Sequence, residues 1–228
     1  MKKITKTIEP VSLATYRSTI PHDRLEDANI YEDYPNKTKE GCSSGDGDNL
    51  RLQLLEEQGY ICCYCMSRID CKSSKIEHFK PQSTFRDKQI DYTNLFVTCN
   101  GGEGSKQKEQ YCDTKKAETE LKAIDLLSDM ESYIKYKKEA RKIMLISDNG
   151  DIGQDIDTLN LNIDRLAKNR KEAYDKVILN LQKQNFSKQS IRKVLEHYKQ
   201  KHNGKYEPFC GTIVYFLTKK LNQQGAVA

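Results

Sequence analysis

The chain has 228 residues, of which 36% are hydrophobic and 31% are charged, and its formal net charge at pH 7 is +5. No apolar run reaches membrane-spanning length, and Met1-Lys2-Lys3 is not followed by an apolar signal segment, so the composition argues against a membrane or secreted protein and predicts a soluble, cytoplasmic one. The positive charge favours an anionic partner, although an ordinary lysine-rich surface explains the charge alone better.

The N-terminal part is predicted to contain an arm, a loop and one helix. Residues 1–29 are basic and weakly periodic, which predicts an arm that packs on the rest of the chain. Residues 30–48 are rich in Tyr, Pro, Lys, Gly and Ser and predict a loop, most clearly at 43–48. A helix then begins after Asp48 as its N-cap and ends at Gly59.

The central part predicts two strands followed by a helix. Residues 76–79 alternate as a strand does, and Pro81 ends this strand because it lacks a backbone donor. After a polar loop, residues 95–98 supply the second strand. A polar insert at 100–110 then precedes a helix that begins at Cys112. The predicted order is therefore strand, loop, strand, insert and helix.

The C-terminal part predicts two short strands and three helices. The strands are expected at 133–136 and 143–147, with a turn at 148–151. The helices are expected at 162–184, after Ser187 and from Pro208 onward. The last helix is the most apolar, which is typical of core or of a partner surface.

These elements together predict an α+β fold in three parts. Residues 1–48 form the arm and loop, residues 49–127 form a compact central module, and residues 128–228 form a short hairpin and a helical region. The length suits one continuous unit better than two independent domains.

Eight cysteines occur in the chain, and without a secretion signal they argue for free thiols rather than a disulfide framework. Cys62 and Cys65 have the two-residue gap of a zinc knuckle, which is why Cys62 is preferred to its neighbour as a ligand, and twelve residues separate Cys99 from Cys112. Four thiolates would make a closed structural zinc site, with unligated thiols as the alternative. The remaining cysteines are predicted to be bystanders: Cys42, Cys63, Cys71 and Cys210.

A carboxylate and an imidazole stand side by side on the first predicted strand, as Glu77 and His78. Adjacent strand residues point to opposite faces, so both reach one site only if the strand twists or bulges. We expect His78 to project into a cleft near Pro81 while Glu77 reaches a metal at its edge, with Asp113 as a second oxygen ligand. A lone histidine is more often a surface or core residue, but the position of His78 between the cysteine pairs favours a functional interpretation.

The order of these motifs resembles a known family. After Cys-x2-Cys come Ile76-Glu77-His78-Phe79-x-Pro81, Tyr92-x-Asn94-Leu95, Cys99 and Cys112-Asp113-x-x-Lys116. This order resembles the HNH endonucleases of the ββα-metal fold in their zinc-stapled form, and more narrowly the HNH proteins of Septu and retron-associated anti-phage defence systems. Further stretches that resemble this subgroup are Ile8-Glu9-Pro10, Gln58-Gly59, and Leu159-Asn160-Leu161-Asn162 with Leu166 and Arg170.

The resemblance implies a role for each matched residue. His78 would be the general base that activates water, and Asn94 would brace the following loop and orient His78. Glu77 and Asp113 would hold a catalytic Mg²⁺ or Mn²⁺. Such a site suits phosphodiester cleavage, which needs an activated water, charge neutralisation and help for the leaving oxygen. An imidazole with a pKa near ~6.5 can serve as a base at neutral pH.

Two features depart from the family pattern. Common members have a short second knuckle followed by Asn or His, whereas this chain has the insert at 100–110 and then Asp113. Aspartate is a sound ligand for a hard cation. The insert is interpreted either as a substrate or partner loop or as an inert surface excursion. Lys115 and Lys116 at the helix start would contact backbone phosphates, or would simply be solvated.

The resemblance also implies a substrate and partners. The substrate would be nucleic acid, with DNA favoured and RNA possible, because a backbone-cleaving site need read neither base nor sugar. The partner would be an ATPase of the ABC or SMC type and, in retron systems, a reverse transcriptase with its RNA–DNA product. We expect the ATPase to dock on the helical region at 159–221 because its last helix is more apolar than a small module needs.

Two alternative functions stay open at this point. One is a non-catalytic zinc module that binds nucleic acid or protein, for which zinc alone would suffice. The other is a toxin-like, tRNA-cleaving RNase that uses the same site. A requirement for Mg²⁺ or Mn²⁺ and for His78 distinguishes a nuclease from the binding module.

Overall fold

The computed structural model describes residues 1–27, 29–44 and 48–225. The strands of the described chain are β1 (Ser74–His78), β2 (Leu95–Cys99), β3 (Lys135–Lys138) and β4 (Ile143–Ile146). Its α-helices are α1 (Val11–Thr19), α2 (Ile30–Asp33), α3 (Lys39–Ser44), α4 (Leu50–Glu57), α5 (Cys112–Lys116), α6 (Gly150–Thr158), α7 (Asp164–Gln182), α8 (Lys188–Lys199) and α9 (Cys210–Gly225). The protein is thus a mixed α and β fold with two small two-stranded sheets.

The first sheet pairs β1 with β2 in antiparallel register, with Glu77 opposite Phe96 and His78 opposite Leu95. The side chain of Gln58 borders β2, because its amide accepts from the backbone N–H of Val97 at 2.8 Å and donates to the carbonyl of Val97 at 2.8 Å. A glutamine thereby pairs with the backbone of this strand as a neighbouring strand would. The predicted strand, loop, strand, insert and helix order is confirmed.

The N-terminal arm is part of the main core rather than an appendage. Leu13 of α1 is fully buried, and the backbone N–H of Ile4 donates to the carbonyl of Leu126 at 2.9 Å. Asp48, predicted to cap α4, instead accepts from the backbone N–H of Ser12 at 2.8 Å, and Asn49 is the N-cap of α4. The main hydrophobic cluster contains residues from all three predicted parts, and the division at 48 and 127 stays a prediction.

The segment predicted as a loop at 30–48 contains two helices, α2 and α3. Of the predicted flexible run 43–48, residues 45–47 lie outside the described residues. The expectation that Cys42 and Cys71 are free thiols is wrong, because the structure joins them in a disulfide. This bond fastens the end of α3 to the stretch that precedes β1, a long-range contact that cysteine spacing along the chain does not reveal.

The C-terminal elements largely follow the predicted pattern. β3 and β4 form the predicted hairpin, and the helices α7 and α8 lie close to their predicted bounds. The predicted turn at 148–151 is wrong in part, since Asn149 caps α6 by accepting from the backbone N–H groups of Asp151 and Ile152. Asparagine favours turns and helix N-caps for the same reason, its short acceptor, so the pattern was ambiguous.

The apolar face of α9 is covered by the chain itself. Ile213, Val214 and Leu217 are buried in a second hydrophobic cluster, together with residues of α7 and α8. This burial counts against the argument that α9 leaves an apolar surface for a partner. Among the described helices, none has the length and apolarity needed to cross a bilayer.

Candidate metal and catalytic site

Four buried cysteines converge where the hairpin meets α5. The sulfur atoms of Cys62, Cys65, Cys99 and Cys112 all lie within 4.8 Å of one another. The Sγ atoms of Cys62 and Cys112 are 3.8 Å apart, as are those of Cys65 and Cys99. A tetrahedral zinc ion with Zn–S bonds of about 2.3 Å requires sulfur atoms about 3.8 Å apart, so these residues fit structural zinc.

The cluster joins three parts of the chain that are separate in sequence. Cys62 and Cys65 precede β1, Cys99 ends β2, and Cys112 begins α5. Cys63 is buried beside the cluster, but its sulfur is not one of the four that converge. The geometry supports the preference for Cys62 over Cys63, and the assignment of Cys62 as a zinc ligand stays a prediction.

The insert at 100–110 folds back and returns the chain to the cluster. The backbone N–H of Tyr111 donates to the carbonyl of Gly101 at 2.8 Å. Gly101 has φ +57°, and a Cβ atom there would lie 2.2 Å from the carbonyl oxygen of Tyr111, so this close approach requires glycine. The side chain of Asn160 donates to the carbonyl of Gln110 at 2.7 Å, which anchors the end of the insert to the chain after α6.

Two carboxyl groups meet on the face of β1 that α5 covers. The Glu77 side chain is 2% exposed, and its Oε1 atom accepts from the hydroxyl of Tyr64 at 2.7 Å and from Nζ of Lys116 at 2.9 Å. The carboxyl of Asp113 lies within hydrogen-bonding range of Glu77, and its Oδ2 is 3.0 Å from Nζ of Lys75. Lys75 and Glu77 share this face because alternate strand residues point the same way.

The surroundings shift the pKa values of the two carboxyl groups in opposite directions. Burial, followed by the hydrogen bond and charge of Asp113, raises the pKa of Glu77 well above its usual value. Burial opposes ionisation of Asp113 as well, but the hydrogen bond with Glu77 and the ammonium of Lys75 bring the pKa of Asp113 below its usual value. Two adjoining carboxyl groups that share one proton behave in this way.

His78 lies on the opposite side of β1 from Glu77. Its Nε2 atom is 2.9 Å from the carbonyl oxygen of Gln89, and its ring stands edge-on to the ring of Tyr31 with centroids 4.4 Å apart. A carbonyl only accepts, so this contact places the proton on Nε2 and leaves the lone pair on Nδ1. Burial is the main cause that lowers the pKa of His78, although the bond to Gln89 opposes it.

Asn94 holds the loop between β1 and β2 at both ends. Its Oδ1 accepts from the backbone N–H of Lys80 at 2.7 Å, and its Nδ2 donates to the carbonyls of Lys80 and Lys88, each at 3.1 Å. These bonds fix the loop just after His78 and again beside Gln89, whose carbonyl binds the His78 ring. Asn94 can affect the position of His78 only through this loop.

The two lysines of α5 lie in different environments. Lys116 is 1% exposed and paired with Glu77, so as placed it does not offer its charge to a phosphate in solvent, and the expected phosphate contact needs correction. Lys115 is half-buried at the surface, with its Nζ 3.5 Å from the carbonyl of Gln107. Only Lys115 of this pair remains available for an anionic ligand.

The carboxyl pair has the donor chemistry that a hard divalent cation prefers. Mg²⁺ is commonly bound by one or two carboxylates, with water or phosphate oxygens completing the shell, and Glu77 and Asp113 meet that requirement. Sequence reasoning missed three residues that complete the surroundings: Tyr64, which binds Glu77, and Gln89 and Tyr31, which contact His78. Tyr64 lies between Cys62 and Cys65, and this place in the sequence was a signal that it lies near the site.

Comparison with curated proteins gives a limited similarity. The chain is 34% identical over 59 residues to the Septu protein PtuB of Bacillus thuringiensis. The matched stretch covers 25% of this chain and 23% of that protein. A scan against protein-family models finds no match. The similarity supports a Septu-like relation over about a quarter of each chain, and the thiol cluster fits a zinc module.

Proposed function

We propose that this protein is a metal-dependent endonuclease of the HNH type that hydrolyses phosphodiester bonds. The observation that supports it is the meeting of Glu77 and Asp113 between β1 and α5, directly beside a four-thiol cluster that fits zinc. His78 follows Glu77 in the same strand and keeps an unprotonated ring nitrogen. These are the groups that activation of water and neutralisation of a phosphate need.

His78 is the proposed general base. Its Nε2–H is held by the carbonyl of Gln89, so Nδ1 is the atom that would take a proton from the attacking water. The lowered pKa keeps the imidazole neutral, and therefore able to accept a proton, at neutral pH. Asn94 acts at a distance by holding the loop that carries Gln89 against β1.

Glu77 and Asp113 are the proposed ligands of Mg²⁺ or Mn²⁺. When bound, such a cation supplies positive charge that stabilises the developing charge on the phosphate and on the leaving oxygen. Asp113 forms the open side of this site, since its side chain is 19% exposed whereas that of Glu77 is 2% exposed. A substrate phosphate would therefore approach from the side of Asp113 and Lys75.

The proposed biological role is that of an effector in anti-phage defence. The similarity to a Septu protein supports this role. The resemblance in motif order makes an ATPase of the ABC or SMC type the proposed partner. In a retron setting, a reverse transcriptase and its RNA–DNA product would also be partners. His78 is only 8% exposed and lies under Tyr31, so an isolated chain in this arrangement would have low activity until the cover moves.

The decisive experiment is cleavage of supercoiled plasmid, linear DNA and total RNA by the zinc-loaded protein with Mg²⁺ or Mn²⁺. His78→Ala and Asp113→Ala run beside the wild type, and each reaction is repeated with the co-expressed ATPase. We expect cleavage that needs the divalent cation, disappears in His78→Ala and shifts to higher cation concentration in Asp113→Ala. Full cleavage by His78→Ala would refute the assigned mechanism, and the preferred substrate would separate DNA from RNA.

A second candidate function is a zinc module that binds nucleic acid or protein without cleaving it. The observation in its favour is that Glu77 and Asp113 each already pair with a lysine ammonium. A protein that binds nucleic acid equally well with and without Mg²⁺, and cleaves in no condition with its partner present, would favour this candidate.

A further inference from the structure

Tyr64 connects the zinc knuckle to the candidate catalytic carboxylate. It lies between Cys63 and Cys65, its side chain is fully buried, and its hydroxyl donates to Oε1 of Glu77 at 2.7 Å. This hydrogen bond joins the stretch before β1, which contains Tyr64, to β1 itself, which contains Glu77. The knuckle therefore contributes a hydrogen bond to the carboxylate as well as two thiols.

Two donors from different parts of the chain bind the same oxygen of Glu77. Nζ of Lys116, on α5, is 2.9 Å from Oε1, the atom that also accepts from Tyr64. Since both donors converge on Oε1, rotation of the carboxylate would break two hydrogen bonds in a buried site, which is costly. Oε2 is the oxygen that neither of these two donors binds, and the carboxyl of Asp113 lies within hydrogen-bonding range of the Glu77 side chain.

We propose that Tyr64 is a positioning residue that fixes which oxygen of Glu77 binds the divalent cation. By holding Oε1, the hydroxyl keeps Oε2 directed toward Asp113, so that one oxygen from each carboxylate is presented to the same point. This inference rests on the proposed function, since it concerns the cation site of the nuclease. Hydrogen bonds that orient metal-binding carboxylates typically change metal affinity by about 10- to 100-fold when they are removed.

A purely structural role for Tyr64 makes a different prediction. In that case the hydroxyl needs only some acceptor for burial, and its loss would lower stability without changing affinity for a cation. The two roles are therefore separated by measuring cation binding directly, rather than by activity or by melting temperature. Tyr64→Phe keeps the buried ring and removes only the hydroxyl.

The experiment measures binding of Mn²⁺ to zinc-loaded protein by electron paramagnetic resonance. We expect Tyr64→Phe to bind Mn²⁺ about tenfold more weakly than the wild type while retaining its zinc and its folded circular-dichroism spectrum. Tyr92→Phe is the matched control, because Tyr92 is also buried and also donates to a buried glutamate, which is Glu57 rather than Glu77. Its Mn²⁺ affinity should equal that of the wild type.

Glu77→Gln distinguishes failure of this inference from failure of the proposed function. If the wild type binds Mn²⁺, Glu77→Gln does not, and Tyr64→Phe binds as the wild type does, the positioning role is refuted and the cation site stands. If Glu77→Gln binds Mn²⁺ as tightly as the wild type, the cation site itself is wrong and the positioning role falls with it. An equal loss in Tyr64→Phe and Tyr92→Phe would also refute a specific role.

Discussion

Replacing one of the four clustered thiols, as in Cys112→Ser, should release zinc and lower stability strongly. The sulfur of Cys112 is 3.8 Å from that of Cys62, and this contact fastens the start of α5 to the knuckle. Zinc contributes about 10–16 kcal/mol in small zinc-dependent modules, and release of the ion removes that whole contribution. A loss of this size matches the whole stability of a typical domain, about 5–15 kcal/mol, so we expect Cys112→Ser to lack the cooperative thermal transition of the wild type.

The assay combines zinc content by mass spectrometry with thermal unfolding by circular dichroism. Cys63→Ser is the matched control, since Cys63 is 4% exposed and adjoins the cluster, yet its sulfur is not among the four that converge. This control should keep one zinc ion per chain. The reasoning fails if Cys112→Ser retains stoichiometric zinc with an unchanged Tm, or if Cys63→Ser loses zinc to the same extent.

Two further predictions concern the N-terminal arm and the disulfide. Burial lowers the pKa of Lys6 from 10.5 to about 8. Between pH 8 and pH 10.5 the unfolded state therefore binds more protons than the folded state. The contribution of Lys6 to stability should rise with pH across that window by at most about 3 kcal/mol. Urea unfolding of the wild type and Lys6→Met between pH 7.5 and about 10 measures this difference, and parallel curves would contradict it. Cys71→Ser opens a loop of 29 residues and should cost about 3–4 kcal/mol by loop-closure entropy while leaving zinc in place. A titration showing eight free thiols in the denatured, unreduced wild type would refute the bond.

The four-cysteine cluster and the β1–β2 hairpin were predictable in part because their signals are local. The gap between Cys62 and Cys65 and the alternation around Ile76 both act over a few residues, and the predicted strands lie within about two residues of β1 and β2. The route by which Cys112 reaches Cys99 was not predictable. It depends on the close approach at Gly101 and on the hydrogen bond from Asn160, and both are tertiary contacts.

Lys116 was expected at the surface but is buried, and its spacing from Cys112 in the sequence indicated this burial. Lysines at a short helix normally reach solvent, which is why a phosphate contact was expected. Residues four apart share one face of a helix, so Lys116 lies on the same side of α5 as Cys112, the side that faces the module. Once Cys112 is taken as a zinc ligand, burial of Lys116 follows, and its pairing with Glu77 satisfies its charge there.

The pleat of β1 explains why the proposed base and the proposed cation ligands lie in different surroundings. Glu77 faces α5 and the knuckle, whereas His78 faces Tyr31 and Gln89, and no side-chain rotation brings both to one face. A phosphate held at the carboxylates therefore reaches His78 only around the end of the strand, with Tyr31 displaced. Access to the base would then be controlled by α2, without any change at the carboxylates.

This control can be tested by modification of His78 with diethylpyrocarbonate, followed by mass spectrometry. Tyr31→Ala removes the ring that covers the imidazole, so we expect His78 to react several-fold faster than in the wild type. His22 lies on the surface, outside this contact, and its rate serves as the internal reference. Equal rates at His78 in a folded Tyr31→Ala protein would mean that Tyr31 is not the barrier, and that the loop held by Asn94 must move instead.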